Sequence, residues 1–296
     1  MTKTKMFTAA AGLSLVMVAM ASGQGDPRVS GFKRIPGTAQ SNMVPCPVAG
    51  YTCYPQSIAA GPNGTAWILG TAQTSEGDYY VYRRERSKWV QTDGAGLQIA
   101  VGVDGYPWVI THLGTIYYWN GNTFVLAPGN GCAMSIGVGP GDGSSTYPYG
   151  APYIVGCDGS STTNGGIYEY KGPTTGWYQL QGDTANRIAV SPQGVAVVIT
   201  TSGVVFYDVN GSIFGSNPPG CASSVAAGSD SDPLAAPYAD VWITGCGNVN
   251  NQGAKIFQLQ NGTAWVRIPG VASQISIAPD TGVVWVVTLT GEIFEN

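Results

Sequence analysis

Acid-base and nucleophilic catalysis need groups that titrate near neutrality, and this chain offers one histidine, His112. A Ser/His/Asp or Cys/His arrangement, or a histidine-rich zinc site, would have to be assembled around that single ring. A lone loop histidine next to Thr111 reads more simply as a surface polar group. No G-x-S-x-G elbow and no phosphate-cradling glycine loop stands in the right context. Paired carboxylates need no motif, because two acids from distant segments can meet in space. Asp104, Asp158, Glu169 and Asp183 are the acids available for such glycoside hydrolysis.

The residues suited to binding are more numerous. Amides and hydroxyls held in fixed loops match neutral sugar hydroxyls, and indole faces stack on sugar rings. The candidate carbohydrate-binding set is Thr111, His112, Asn164, Asn186, Asn250, Gln274, Trp108 and Trp285. Each has a plainer reading. Asn and Thr make turns, and tryptophans recurring at one structural position are what wedges between packed sheets would be.

What must position these residues is a repeat. Trp265 opens WVRIPGVASQISIAPDTGVVWVVTLTGEIFE, and related stretches open at Trp177 and Trp89, in equal steps of 88 residues. Each holds four strands in about 32 residues, too few to bury a face alone. Three longer variants alternate with them, carrying SIAAG at Ser57, SIGVG at Ser135 and SVAAG at Ser224. Six such units predict an all-β fold: a six-bladed β-propeller of four-stranded antiparallel blades, one domain over residues 26–296. The last unit stops after three strands. FKRIPG at Phe32 matches the outer-strand sequence WVRIPG at Trp265, so the N-terminal strand is expected to complete the C-terminal blade and hide two sheet edges. In this register the loops entering each innermost strand and those linking the second and third strands share one face. That face gathers the candidate amides together with Thr200 and Arg187.

Residues 1–25 read as a secretory signal peptide: Lys3 and Lys5, an apolar run from Phe7 to Met20, then small residues. No later stretch reads as a membrane span, and the expected location is secreted, extracellular. With 13 basic and 17 acidic residues the net charge is −4, and no basic face exists to replace the counterions of a nucleic acid. Six cysteines in an exported chain suggest three disulfides. Cys132 and Cys157, and Cys221 and Cys246, flank equivalent strands one long period apart. That pairing leaves Cys46 with Cys53. Asn63, Asn210 and Asn261 stand in N-glycosylation sequons, all at turns.

The pattern W-x-x-(I/L)-x-G, (Q/R)-I-(A/S)-(V/I), a glycine turn, V-W-V-(V/I)-T and G-x-I-(Y/F) resembles the tectonin repeat. It is fullest from Trp265 to Phe294 and from Trp89 to Tyr117; the copy at Trp177 has Ala196 or Val197 in place of the second tryptophan. Members of that family, including the fish-egg lectins, are propellers that bind surface glycans without reaction. The resemblance implies a multivalent lectin whose partners are glycans or glycoconjugates, with no cofactor other than, optionally, calcium. Its regular repeats do not include the alternation of long and short blades seen here.

Two other functions fit the chain: a propeller glycoside hydrolase or lyase using paired carboxylates, and a structural or adhesive coat protein. PNGTAW at Pro62 and PDTGVVW at Pro279 faintly resemble the aspartate box of sialidases, but read better as hairpin turns. Sialidases also need clustered arginines for the substrate carboxylate, and Arg83, Arg84 and Arg86 lie together on one strand. The alternation of blades places up to three related sugar sites at blade junctions: Asn164 with Asn186, Asn250 with Gln274, and Thr111 with His112.

Overall fold

The computed structural model describes residues 31–35, 56–129, 131–141, 149–157, 165–172, 174–180, 184–209, 212–229, 240–249, 251–262 and 264–296. Residues 1–25, Cys46, Cys53, Asn130, Asp158, Asn164, Asp183, Asn210 and Asn250 lie outside them. The described strands form six four-stranded antiparallel sheets, the blades of a six-bladed propeller, with no α-helix among the described residues. None of those residues forms a helix able to cross a membrane.

The innermost strands, one per blade in chain order, are Ser57–Ala60, Gln98–Val101, Ala133–Gly139, Arg187–Val190, Ala222–Gly228 and Gln274–Ile277. Their composition follows from the taper of the ring. Blades converge on the axis, so the space between neighbours narrows inward and favours small residues there, with large ones a strand further out. The register meets this demand: Ala59 faces Trp67, Ala100 faces Trp108, Ala226 faces Trp242 and Ser276 faces Trp285. In the third blade Gly137 faces Tyr153, and in the fourth Ala189 faces Val197. On the opposite side of each sheet the facing pairs are aliphatic throughout, as in Ile58 with Ile68 and Ile188 with Val198. Successive side chains alternate between faces, so each blade presents one small-plus-large face and one aliphatic face to its neighbours.

Hydrogen bonds join neighbouring innermost strands around the axis. The backbone N–H of Ile188 donates to the Ser135 hydroxyl at 3.1 Å, and that of Ala60 to the Ser276 hydroxyl at 2.9 Å. The Gln98 amide donates to the Met134 carbonyl at 2.9 Å.

The ring closes as the sequence pattern anticipates. Lys33–Arg34 pairs antiparallel with Ile293–Glu295, Arg34 opposite Phe294, and the N–H of Ile35 donates to the carbonyl of Ile293 at 3.0 Å. Phe32 and Ile35 are both buried. Phe32 meets Trp242 of the fifth blade edge-on, 6.5 Å between centroids, so the closing strand also binds across a blade boundary. Arg34 pairs with the buried Glu292 at 3.4 Å.

Two disulfides are present among the described residues, Cys132 with Cys157 and Cys221 with Cys246, with Cα atoms 5.4 and 5.3 Å apart. In each, the second cysteine's N–H donates to the first's carbonyl, so the bond joins the start of the innermost strand to the end of the next. Both innermost strands bulge just after their first residue, between Ala133 and Ser135 and between Ala222 and Ser224. The third expected bond, Cys46 with Cys53, falls outside the described residues.

Candidate functional site

Every innermost strand starts on the same face of the ring, and the links from second to third strand lie on that face too. In the second, fourth and sixth blades these links are one turn repeated: Thr111 to Thr115, Thr200 to Val204 and Thr288 to Glu292. Each threonine hydroxyl accepts the N–H four residues on, at 3.2, 3.3 and 3.1 Å. The glycine in each turn, Gly114, Gly203 or Gly291, has φ of 77°, a left-handed value where only glycine avoids a steric cost. The first two are further constrained: a Cβ on Gly114 would lie 2.6 Å from Cys132 Sγ, and one on Gly203 2.3 Å from Cys221 Cβ. The turns of the second and fourth blades therefore seat directly on the disulfides of the blades that follow.

This geometry decides the fate of several sequence candidates. The Thr111 hydroxyl is engaged by its own turn. His112 is tied to the first blade: its backbone N–H donates to Asp78 Oδ1 at 2.6 Å, and its Nδ1 lies 3.1 Å from Asp78 Oδ2. Asp78 is buried, so this contact is an inter-blade tie. Trp108 and Trp285, candidates for sugar stacking, are 0% and 3% exposed, and neither has a ring face open to a ligand. Trp108 Nε1 donates to the Tyr149 carbonyl at 2.7 Å, and Trp285 is covered by the Arg84 guanidinium 5.1 Å from its ring centroid. Both are core wedges, for the tapering reason above. The sequons at Asn63 and Asn261 lie on exposed turns of the opposite face, both with positive φ.

Gln274 lines the axial channel, whose volume is about 230 Å³. All six innermost strands form its wall. Its loop-face mouth is ringed by their first residues and near neighbours: Gln56, Ser57, Gln98, Ser135, Arg187, Ser224 and Gln274. Towards the other end the wall turns apolar, with Val101, Val138, Val190, Ala227 and Ile277. Among the described lining residues Arg187 carries the sole charge, and there is no carboxylate.

Arg187 keeps contact with water in the channel, while the surrounding walls displace part of its hydration and lower its pKa. It donates to the carbonyl of Asn186 at 2.8 Å. Asn186 does not line the channel, and its Oδ1 is buried without a hydrogen-bond partner.

The pairs expected at blade junctions reduce accordingly. Asn164 and Asn250 lie outside the described residues, Thr111 and His112 are used internally, and Gln274 faces the axis. Sequence reading missed Gln56, Gln98, Ser135 and Ser224. The signal was present in the first letters of SIAA, QIAV, SIGV, RIAV, SVAA and QISI, which alternate serine with a long polar residue.

Of the acids proposed for hydrolysis, Asp158 and Asp183 lie outside the described residues and the other two do not meet. Glu169 is paired with Lys171, and Asp104 sits on the opposite face, where burial raises its pKa and the Gly141 backbone N–H partly offsets that rise. No cluster of three or more metal-ligating side chains occurs among the described residues.

No family model and no curated protein matches the chain. Solved structures share its fold. A GH74 xyloglucanase from Xanthomonas campestris is 17% identical, with a TM-score of 0.52 over 82% of this chain and 37% of its own. A chain of the mitotic checkpoint complex is 10% identical, with a TM-score of 0.52 over 100% of this chain and 98% of its own. A catalytically inactive virginiamycin B lyase from Staphylococcus aureus, crystallised with quinupristin, is 14% identical, with a TM-score of 0.48 over 84% of this chain and 96% of its own. The chain spans little more than a third of the xyloglucanase's length, and at these identities the similarity is one of fold.

Proposed function

We propose that this chain is a secreted carbohydrate-binding protein, a lectin that engages cell-surface glycans at the loop-face mouth of its axial channel. The observation that carries the reading is the mouth's composition: amides, hydroxyls and one guanidinium from six blades, with no carboxylate among its described lining. Such groups donate to and accept from sugar hydroxyls, and a fixed scaffold lets them do so with little ordering cost. The tectonin-like repeat and the apparent export signal support the same reading. So do the two disulfides, which fit an oxidising environment.

At about 230 Å³ the channel is smaller than the roughly 300–1,000 Å³ of pockets that enclose drug-sized ligands. It suits one terminal sugar, with the rest of the glycan lying across the loops. Avidity would then come from several copies of the protein on one surface.

A glycan array run with and without calcium tests the proposal, and absence of binding in both conditions overturns it. In a positive array, Gln274→Ala is expected to weaken binding about tenfold with little change in melting temperature. Unchanged binding would move the site away from the mouth.

A further inference from the structure

At the mouth end of the six innermost strands stand Ser57, Gln98, Ser135, Arg187, Ser224 and Gln274, with Ser135 and Ser224 just after the bulges of their strands, alternating short and long around the axis. Long residues come from the three short blades, so the mouth has approximate three-fold character. Arg187 breaks it, standing where the equivalent blades carry the neutral Gln98 and Gln274. Those amides are engaged in part: Gln98 donates to the Met134 carbonyl, and Gln274 Oε1 accepts from the Ser224 hydroxyl at 3.4 Å.

A guanidinium carries five N–H donors in a rigid fork. Arg187 directs one at the Asn186 carbonyl, and among the described residues no carboxylate pairs with it. Arg187 is therefore an exposed cation at the channel mouth with no counter-charge among the described lining, and an anion reaching it would gain a charge-assisted hydrogen bond.

We infer that the channel mouth is an anion subsite in which Arg187 grips the carboxylate of an acidic terminal sugar. This deepens the carbohydrate-binding reading and rests on it. A carboxylate fits because its two oxygens match the guanidinium fork and its single negative charge matches the single cation. A phosphate dianion would call for a second positive group, and none lines the channel among the described residues. Ser135 and Ser224 are buried and bonded within the wall, so the groups that face the ring hydroxyls are Gln56, Ser57 and the unengaged ends of the Gln98 and Gln274 amides, and the channel volume matches one sugar unit.

The test uses the full chain and two probes that differ at one carbon, methyl glucuronide and methyl glucoside, titrated by NMR at low and high salt. The glucuronide is expected to bind about tenfold more tightly at low salt, with the advantage shrinking as salt rises. Arg187→Gln, which installs the residue of the sister blades, is expected to bring the ratio to about one with an unchanged melting temperature. Arg187→Lys, which keeps the charge but not the fork, should retain part of the preference.

Equal binding of the two probes by the wild-type chain, or a preference that survives Arg187→Gln, overturns the subsite and leaves the carbohydrate reading standing if the array is positive. Displacement of the glucuronide by an equal concentration of acetate or inorganic phosphate overturns its assignment to a sugar acid. Failure of both probes on a chain that binds no arrayed glycan overturns the two readings together.

Discussion

Short and long blades hold the same face of the propeller by different means. In the second, fourth and sixth blades a five-residue turn suffices, locked by a threonine hydroxyl and a glycine at positive φ. In the third and fifth blades a disulfide joins the first two strands at the base of a longer link. The first device is local and stabilises by hydrogen bonds; the second is covalent and acts largely by restricting the unfolded chain. They are also in contact, since Gly114 and Gly203 pack against the cysteines of the next blade. The second and fourth blades thus depend on their long neighbours for a seat, and each described disulfide depends on a residue without a side chain beside it. The channel mouth lies within this alternating rim, which explains why its lining alternates too.

The sharpest challenge to this pairing is Gly203→Ala. The new methyl would meet Cys221 Cβ at 2.3 Å in a backbone conformation unfavourable to alanine. Strain and overpacking together should cost about 4 kcal/mol, read as a shift in urea midpoint. A loss under about 1 kcal/mol would show that turn and disulfide are independent.

Next comes removal of the disulfide itself. Replacing Cys221 and Cys246 with alanine opens a link spanning 25 residues and should cost about 3 kcal/mol. Hydrogen exchange should then rise at the first two strands of the fifth blade while the sixth keeps its protection. Equal loosening of both would mean that the two devices support the ring as one unit.

The smallest effect belongs to the threonine. Thr288 is buried, and Thr288→Val removes the acceptor for the Glu292 N–H, which should cost about 1.5 kcal/mol in thermal denaturation. Combined with the cysteine replacements, its cost should simply add, because the two sites share no partner. A larger combined loss would place the sixth blade's turn and the fifth blade's disulfide in one cooperative unit.

Much of the architecture was legible in the letters alone. Six copies of a unit unable to bury itself required a closed ring, and FKRIPG standing apart from a three-stranded last unit required that the ends meet. The two described disulfides followed from equal spacing within equal units, and the wedge role of Trp67, Trp108, Trp242 and Trp285 from their recurrence. These properties are periodic, and a period survives in one dimension because each copy repeats the same local hydrogen bonding and side-chain alternation.

The site was not legible in that way. Thr111 is spent on its own turn, and His112 on Asp78 of the preceding blade, 34 residues away in sequence. Neither contact is visible from residue type. The mouth gathers Gln56, Gln98, Arg187 and Gln274 from four blades at positions more than 200 residues apart at the extremes. Only ring closure brings them to one axis and makes the mouth ends of the innermost strands the wall of a channel. Sequence determined the repeat, the closure and the wedges; tertiary structure decided which polar groups remain free, because that depends on partners supplied by other blades.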